Sequence, residues 1–232
     1  MNLGTTQQYY LQTMGVDIYC LRANRSSTDA PPLTENETKD VSVIELPEHW
    51  DALRREVAAC TRCDLHKSRT QTVFGVGDIN ADWLIIGEAP GAEEDHQGEP
   101  FVGRAGKLLN AMLFAIGLER NQVFIANILK CRPPGNRDPK PDEVVSCEAY
   151  LKKQIEWIQP KLILALGRIA AQNLLKVDTP IGKMRGQCYE YPDPKIPVVV
   201  TYHPAYLLRS PKEKRKSWQD LQLAMKIYRD SK

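Results

Sequence analysis

Four short apolar runs stand out along the chain: WLIIG (83–87), VFIANIL (123–129), KLILALG (161–167) and PVVVTYH (197–203). Runs of that length without polar alternation predict strands of a parallel sheet covered on both faces. Between them, apolar positions recur at helical spacing in GKLLNAMLFAIG (106–117), DEVVSCEAYLKKQIEWI (142–158) and RIAAQNLL (168–175). A last helix is predicted around Trp218, Leu221, Met225 and Tyr228, and a first one through Trp50, Leu53 and Val57, opened by Pro47. Strand alternating with helix predicts an α/β fold with a parallel sheet. Such sheets bind ligands just beyond the carboxyl ends of their strands. The segments that follow the four runs are GEAPGAEED, then Asn127 with KCRPPGNRDP, then GRIAA, then HPAYLLR. Three of them carry glycine or proline turns beside Glu, Asn or His, and these are expected to converge in one cleft.

Ahead of this pattern, residues 5–13 suit a short helix and VDIYCL (16–21) a strand, while 24–40 is polar and turn-rich, as a linker is. The first 45 residues therefore read as an extension, and 46–232 as the domain. Hydrophobic residues make up 42% of the 232, enough for one sizeable core. The net charge of +2 says little about partners. Its distribution says more: residues 161–232 hold 14 Lys and Arg against 6 Asp and Glu. That asymmetry fits either a nucleic-acid surface or an ordinary solvated face. No apolar run reaches the roughly 18 residues of a membrane span. The first residues lack the basic and apolar regions of a signal peptide. A cytoplasmic protein is expected, and in that compartment cysteines serve metals or catalysis more often than disulfides.

Cys60 and Cys63 form a tight Cys-x-x-Cys pair in ACTRCDLHKSR. Cys131 follows the second strand and Cys147 lies in the next predicted helix, with fifteen residues between them. A proline-rich loop of this kind can bring the second thiolate back to the first, and the four would then close a four-thiolate metal site. Spacing alone leaves zinc and iron–sulfur open. A redox pair fits less well, because Cys60-x-x-Cys63 does not sit at a strand-to-helix turn of the sheet. Cys20 and Cys188 have strand-like apolar surroundings and read as buried cysteines.

Taken together, GEAPGAEED, EPFVGRAGKLL, NILKCRPPGNRDP and HPAYLLR, in this order and with Cys60, Cys63, Cys131 and Cys147, resemble the family 4 uracil-DNA glycosylases, the iron–sulfur members of their superfamily. The resemblance runs over about residues 47–229. It implies a three-layer α/β/α fold with a central four-stranded parallel sheet. It also implies a [4Fe-4S] cluster on the four cysteines, away from the base pocket and supporting loops that face DNA. The implied reaction is hydrolysis of the N-glycosidic bond of uracil in DNA, leaving an abasic site for base-excision repair. The base would be flipped out of the single- or double-stranded substrate into a pocket. A monomer is expected.

The resemblance also assigns roles, each beside a plainer alternative. Phe101 would stack on the base; otherwise it is a core aromatic. Asn127 would read the O4 and N3–H edge, since an amide offers a donor and an acceptor side by side; otherwise it satisfies local backbone. His203 would stabilise O2 of the leaving base; otherwise it completes a turn. Glu88 would position water or stabilise the cationic sugar. Glu94 would lie near the C5 edge and exclude thymine; otherwise it is a solvated carboxylate. Leu207 or Leu208 would wedge into the space left by the flipped base, and Arg209 would contact phosphate. KEKRK (212–216) adds unspecific attraction or is a solvated helix start. Two features depart from wider superfamily patterns. Ala89 stands where the best-known glycosylases have a water-activating aspartate, and no inserted histidine interrupts the loop after Asn127, so turnover is expected rather than a covalent adduct. The Ala89 position keeps a second reading open: a catalytically weak iron–sulfur protein of this fold that binds nucleic acid.

Overall fold

In the computed structural model, the structure describes residues 47–231. The expected helix at 5–13, strand at 16–21 and linker at 24–40, together with Cys20, lie outside these residues.

Six strands form one sheet: β1 (Val76–Gly77), β2 (Trp83–Gly87), β3 (Phe124–Asn127), β4 (Leu162–Leu166), β5 (Cys188–Tyr191) and β6 (Ile196–Thr201). Their order is β1-β3-β2-β4-β6-β5. The four inner strands pair in parallel, and these are the four expected from the apolar runs. The two outer strands are antiparallel and raise the expected count from four to six. Every residue of β2, β3 and β4 is buried, which is why their sequences show no polar alternation. Edge strand β5 instead alternates between exposed and half-buried positions. Cys188 is exposed there, so it is not the buried cysteine its neighbours suggested.

The helices are α1 (Glu48–Ala58), α2 (Ala92–Gln97), α3 (Arg104–Ala115), α4 (Pro141–Ile158), α5 (Arg168–Leu175), α6 (Ile181–Met184), α7 (Pro204–Arg209) and α8 (Lys214–Asp230). Successive strand residues point to opposite faces. Trp83, Ile85, Ile125, Leu164 and Val199 pack on one face with Leu109 and Leu113 of α3, Leu207 of α7 and Leu221 of α8. Their alternates Leu84, Ile86, Ala126, Ile163 and Val198 are equally buried on the other face. There α5 packs against β4 through a flank that includes the buried Ala170 and Ala171. Leu207 is therefore a core residue, 1% exposed, and cannot serve as the wedge. Leu208, its neighbour, is half-buried and packs against the rim of the same core.

The topology places the carboxyl ends of β2, β3, β4 and β6 along one edge. Backbone bonds extend that edge beyond the strands: Ile128 N–H donates to Gly87 O and Leu129 N–H to Glu88 O, both at 3.0 Å. The segments after β2 and β3 are thus held side by side where the first cleft residues emerge.

Candidate active site

A cavity of about 430 Å3 opens at this edge, lined among others by Glu88, Glu94, Phe101, Asn127, His203 and Arg209. Six sequence-predicted residues from four separate segments thus meet in one place. Behind two of its lining residues, Asn127 and Phe101, lies Gly87, the last residue of β2. A Cβ there would stand 2.4 Å from Asn127 Oδ1 and 2.7 Å from Phe101 Cζ. Only a glycine lets the amide and the ring close over the strand end.

Asn127 ends β3 and is 2% exposed. Its Oδ1 is buried and has no hydrogen-bond partner among the described residues. Buried amide oxygens are rarely left unpaired, because the lost hydration costs about 1–3 kcal/mol. An orphaned acceptor lining a cavity is the mark of a group awaiting a ligand donor. The Asn127 backbone carbonyl is engaged instead: Lys130 Nζ donates to it at 3.0 Å.

Phe101 has a left-handed backbone, φ 54°, which is costly for a non-glycine residue. The neighbourhood holds it there. A Cβ on Gly106 would come within 1.8 Å of the Phe101 carbonyl, so α3 approaches the loop through a bare backbone. Arg120 donates to the carbonyls of Pro100 and Phe101. Glu94 completes the clamp: one carboxylate oxygen accepts from Gly91 N–H at 3.1 Å, the other from Val102 N–H at 3.1 Å and Gly103 N–H at 3.4 Å. Both oxygens are committed to backbone, so Glu94 acts on the cavity by shaping the loop that carries Phe101.

His203 caps the N-terminus of α7. Its Nδ1 accepts from Ala205 N–H at 3.1 Å. A neutral imidazole whose Nδ1 accepts carries its proton on Nε2, free to donate into the cavity. Burial, with Arg209 nearby, holds the ring down to about pH 4. The imidazole is therefore neutral at physiological pH. Its ring centroid lies 5.4 Å from that of Phe101, tilted by 31°. Gly167, in a left-handed conformation at the end of β4, packs under it, with a virtual Cβ 3.0 Å from His203 Cβ.

Glu88 follows Gly87 directly. Burial, reinforced by the negative charge of Asp138, pushes its carboxyl up to about 7, with Arg168 opposing. Arg168 and Asp138 are themselves paired at 2.7 Å. The GNRDP loop therefore reaches the same cavity, bringing Asn136, Arg137 and Asp138 to its wall. Sequence reasoning missed these three; the proline-flanked polar run was the available signal. Tyr206 and Arg209 of α7 line the cavity as well. In KEKRK, Lys216 pairs with Glu213 at 2.7 Å, as a solvated helix start does.

A second pocket is lined by Cys60, Cys63, Cys131 and Cys147, with Arg69 and Tyr150. Donors surround the sulfurs: Arg69 Nη1 stands 3.1 Å from Cys131 Sγ, and Lys130 N–H 3.2 Å from Cys147 Sγ. Burial pushes the Cys63 and Cys131 thiols up, and that of Cys147 up to about 11. Among the described residues, no group of three or more His, Cys, Asp or Glu side chains is gathered to hold a single metal ion. Lys130 itself is fully buried, and burial holds its ammonium down to about 8, with the Cys147 sulfur opposing.

An open sheet with a parallel centre, and an amide, an imidazole, an aromatic ring and a carboxyl around one cleft at its carboxyl edge, defines a ligand-binding α/β protein equipped for hydrolysis. Comparison with known proteins sharpens this. The sequence model of the uracil DNA glycosylase superfamily matches residues 74–222. A type-4 uracil-DNA glycosylase of Archaeoglobus fulgidus is 50% identical over 170 residues, covering 71% of this chain and 85% of the relative. The type-4 uracil-DNA glycosylase of Thermotoga maritima is 43% identical over 166 residues, 70% of this chain and 85% of the relative. The type-5 uracil-DNA glycosylase of Pyrobaculum aerophilum is 28% identical over 170 residues, 60% of this chain and 75% of the relative. The chain belongs to the uracil-DNA glycosylase superfamily, within its type-4 family.

Proposed function

We propose that this protein excises uracil from DNA, hydrolysing the N-glycosidic bond of a flipped-out deoxyuridine and leaving an abasic site for base-excision repair. The observation that carries this reading is the orphaned Asn127 Oδ1 in a cavity lined by Phe101 and His203. A planar pyrimidine stacks on the Phe101 ring. Asn127 accepts from N3–H and donates to O4. Cytosine presents the reversed pattern and leaves the buried amide mispaired, the kind of mismatch that supports large discrimination. Glu94, by fixing the loop beside Phe101, limits room at the C5 edge, where thymine carries its methyl group.

As the bond breaks, negative charge develops on the base and positive charge on the sugar. His203 donates from Nε2 to O2 of the leaving base, a preorganised hydrogen bond of the kind worth about 3 kcal/mol at such a centre. Glu88 in its ionised form orients the attacking water and faces the cationic sugar. With Ala89 beside it, Glu88 is the carboxyl that takes this task. Leu208 fills the gap left by the flipped nucleotide and Arg209 contacts phosphate. The protein acts as a monomer, in the cytoplasm, through a glycosylase domain spanning 46–232.

Cys60, Cys63, Cys131 and Cys147 would hold a [4Fe-4S] cluster. Four thiols around one pocket, with N–H donors aimed at two sulfurs, fit a cluster of this kind, and the type-4 relatives support iron over zinc. Bound there, the cluster would cross-link the segment after α1, through Cys60 and Cys63, to the loop after β3 and to α4, through Cys131 and Cys147. Among the described residues, no helix is long and apolar enough to cross a membrane.

Single-turnover cleavage of oligonucleotides carrying uracil, cytosine or thymine, single- or double-stranded, tests the reading. Abasic sites at uracil alone are expected. Folded, brown protein that binds DNA and cuts none of them would establish the nucleic-acid-binding alternative instead.

A further inference from the structure

Tyr206 lines the cavity, yet the chemistry above gives its side chain no task. It stands in α7 three residues before Arg209, and so on the same side of the helix, while Leu207 between them packs into the core. Its N–H donates to the His203 carbonyl at 2.9 Å, which ties it to the turn that carries the imidazole. The residue is 36% exposed. An exposed aromatic is ordinary by itself. What sets Tyr206 apart is the chain of contacts behind it. Its ring centroid lies 4.9 Å from that of Tyr202, tilted by 42°. The Arg185 guanidinium stands 4.6 Å from the centroid of the Tyr202 ring. Arg185 Nε in turn donates at 2.8 Å to Asp220, which is wholly buried. The exposed ring is thus backed by a second ring and by a cation that a buried ion pair holds in place. Little side-chain freedom remains to be lost when something stacks on it.

We propose that Tyr206 is a stacking platform for the base next to the flipped nucleotide, in the same strand. The inference rests on the glycosylase reading and deepens it. The base that enters the cavity has the buried Phe101 ring as its partner. Its departure from the stack bares one π-face of each neighbour, which is part of what flipping costs. An exposed ring on the helix side that also carries Arg209 restores one of those faces. Leu208, half-buried against the core, has no π-face to offer. Every base has such a face, so this contact is indifferent to sequence, as befits an enzyme that meets uracil beside any neighbour.

Binding to single-stranded oligonucleotides that carry one 2′-fluoro-2′-deoxyuridine tests this. The fluorine disfavours the sugar cation and blocks cleavage, so affinity is read without turnover. The strand is used intact, with its 5′ neighbour replaced by an abasic tetrahydrofuran, and with its 3′ neighbour so replaced; the phosphates stay and only the base is lost. Wild-type protein is expected to lose about tenfold or more in affinity on one of the two replacements. Tyr206→Ala should bind the intact strand more weakly by about the same factor and be indifferent to that replacement. Tyr206→Phe should behave as the wild type. Tyr206→Leu keeps apolar bulk against Tyr202 without a π-face, and it decides the matter where the alanine variant fails to fold. Wild-type protein indifferent to both neighbours would overturn the proposal, whatever the variants do. So would folded Tyr206→Ala or Tyr206→Leu protein that still loses the wild-type factor when the neighbour is removed. Neither result touches cleavage of ordinary deoxyuridine; absence of that cleavage in wild-type protein overturns the glycosylase reading instead.

Discussion

Replacing Glu88 by glutamine should change the pH dependence of both cleavage and stability, with signs that follow from one displaced carboxyl. Burial and the field of Asp138 raise Glu88 from the ordinary 4.5 to about 7. If the carboxylate is the active form, single-turnover cleavage rises about tenfold per pH unit below 7 and levels off above it. His203, held near 4, does not titrate in this window. The stability effect has the opposite direction. Below about pH 4.5 the carboxyl is protonated in both folded and unfolded chains. From there to about 7 the unfolded chain releases its proton while the folded one keeps it, so stability falls as pH rises. The full displacement corresponds to about 3 kcal/mol, reduced to roughly 1–2 kcal/mol because solvent still reaches this half-buried group. Glu88→Gln is therefore expected to lose the inflection near pH 7 along with most activity. At pH 8 it should unfold at higher denaturant than the wild type, with the gap closing toward pH 5. Asp138→Asn should move the wild-type inflection to lower pH. A wild-type profile that is flat between pH 6 and 8, or a glutamine variant whose advantage over the wild type is no larger at pH 8 than at pH 5, would refute the reasoning.

Other substitutions separate the remaining parts of the site. His203→Ala should slow uracil cleavage by about 10²–10³ and cost about 1 kcal/mol of stability through the lost α7 cap, both read on one preparation. Gly87→Ala adds a methyl 2.4 Å from Asn127 Oδ1 and should abolish base binding at a stability cost of about 1–3 kcal/mol; unimpaired cleavage would mean the base binds elsewhere. Cys131→Ser should bleach the visible absorption of anaerobically purified protein, whereas an unchanged spectrum would remove Cys131 from the ligand set. Arg209→Ala should weaken DNA binding and lower the salt slope by about one; an unchanged slope would clear it of phosphate contact.

The parts of this architecture that a sequence displays are those set by local chemistry. The inner strands were legible because burial on both faces leaves an unbroken apolar run. Strand β1, of two residues, and β5, CYEY at an edge, leave no such trace. Helix α2, AEEDHQ, has no apolar stripe; the Glu94 carboxylate and the glycines at its ends define it. Asn127 was visible as a polar residue closing an apolar run, and His203 as a histidine opening a proline-led turn. Leu207 and Leu208 could not be told apart, since the phase of α7 against the core decides which one faces inward. Two of the three partners of Glu94 lie eight and nine residues downstream, a separation with no periodic signature. Lys130 sits in a basic loop sequence that reads as surface, and only the tertiary fold shows it to be interior.

The Glu94 clamp also bears on how the protein spends its time. A repair enzyme meets ordinary bases in vast excess over damaged ones, so its pace is set by how quickly it can dismiss them. With both carboxylate oxygens already bonded to the backbone around Phe101, the wall of the cavity is finished before any nucleotide arrives. A base that enters meets a wall already in place, so discrimination at that wall is a matter of fit.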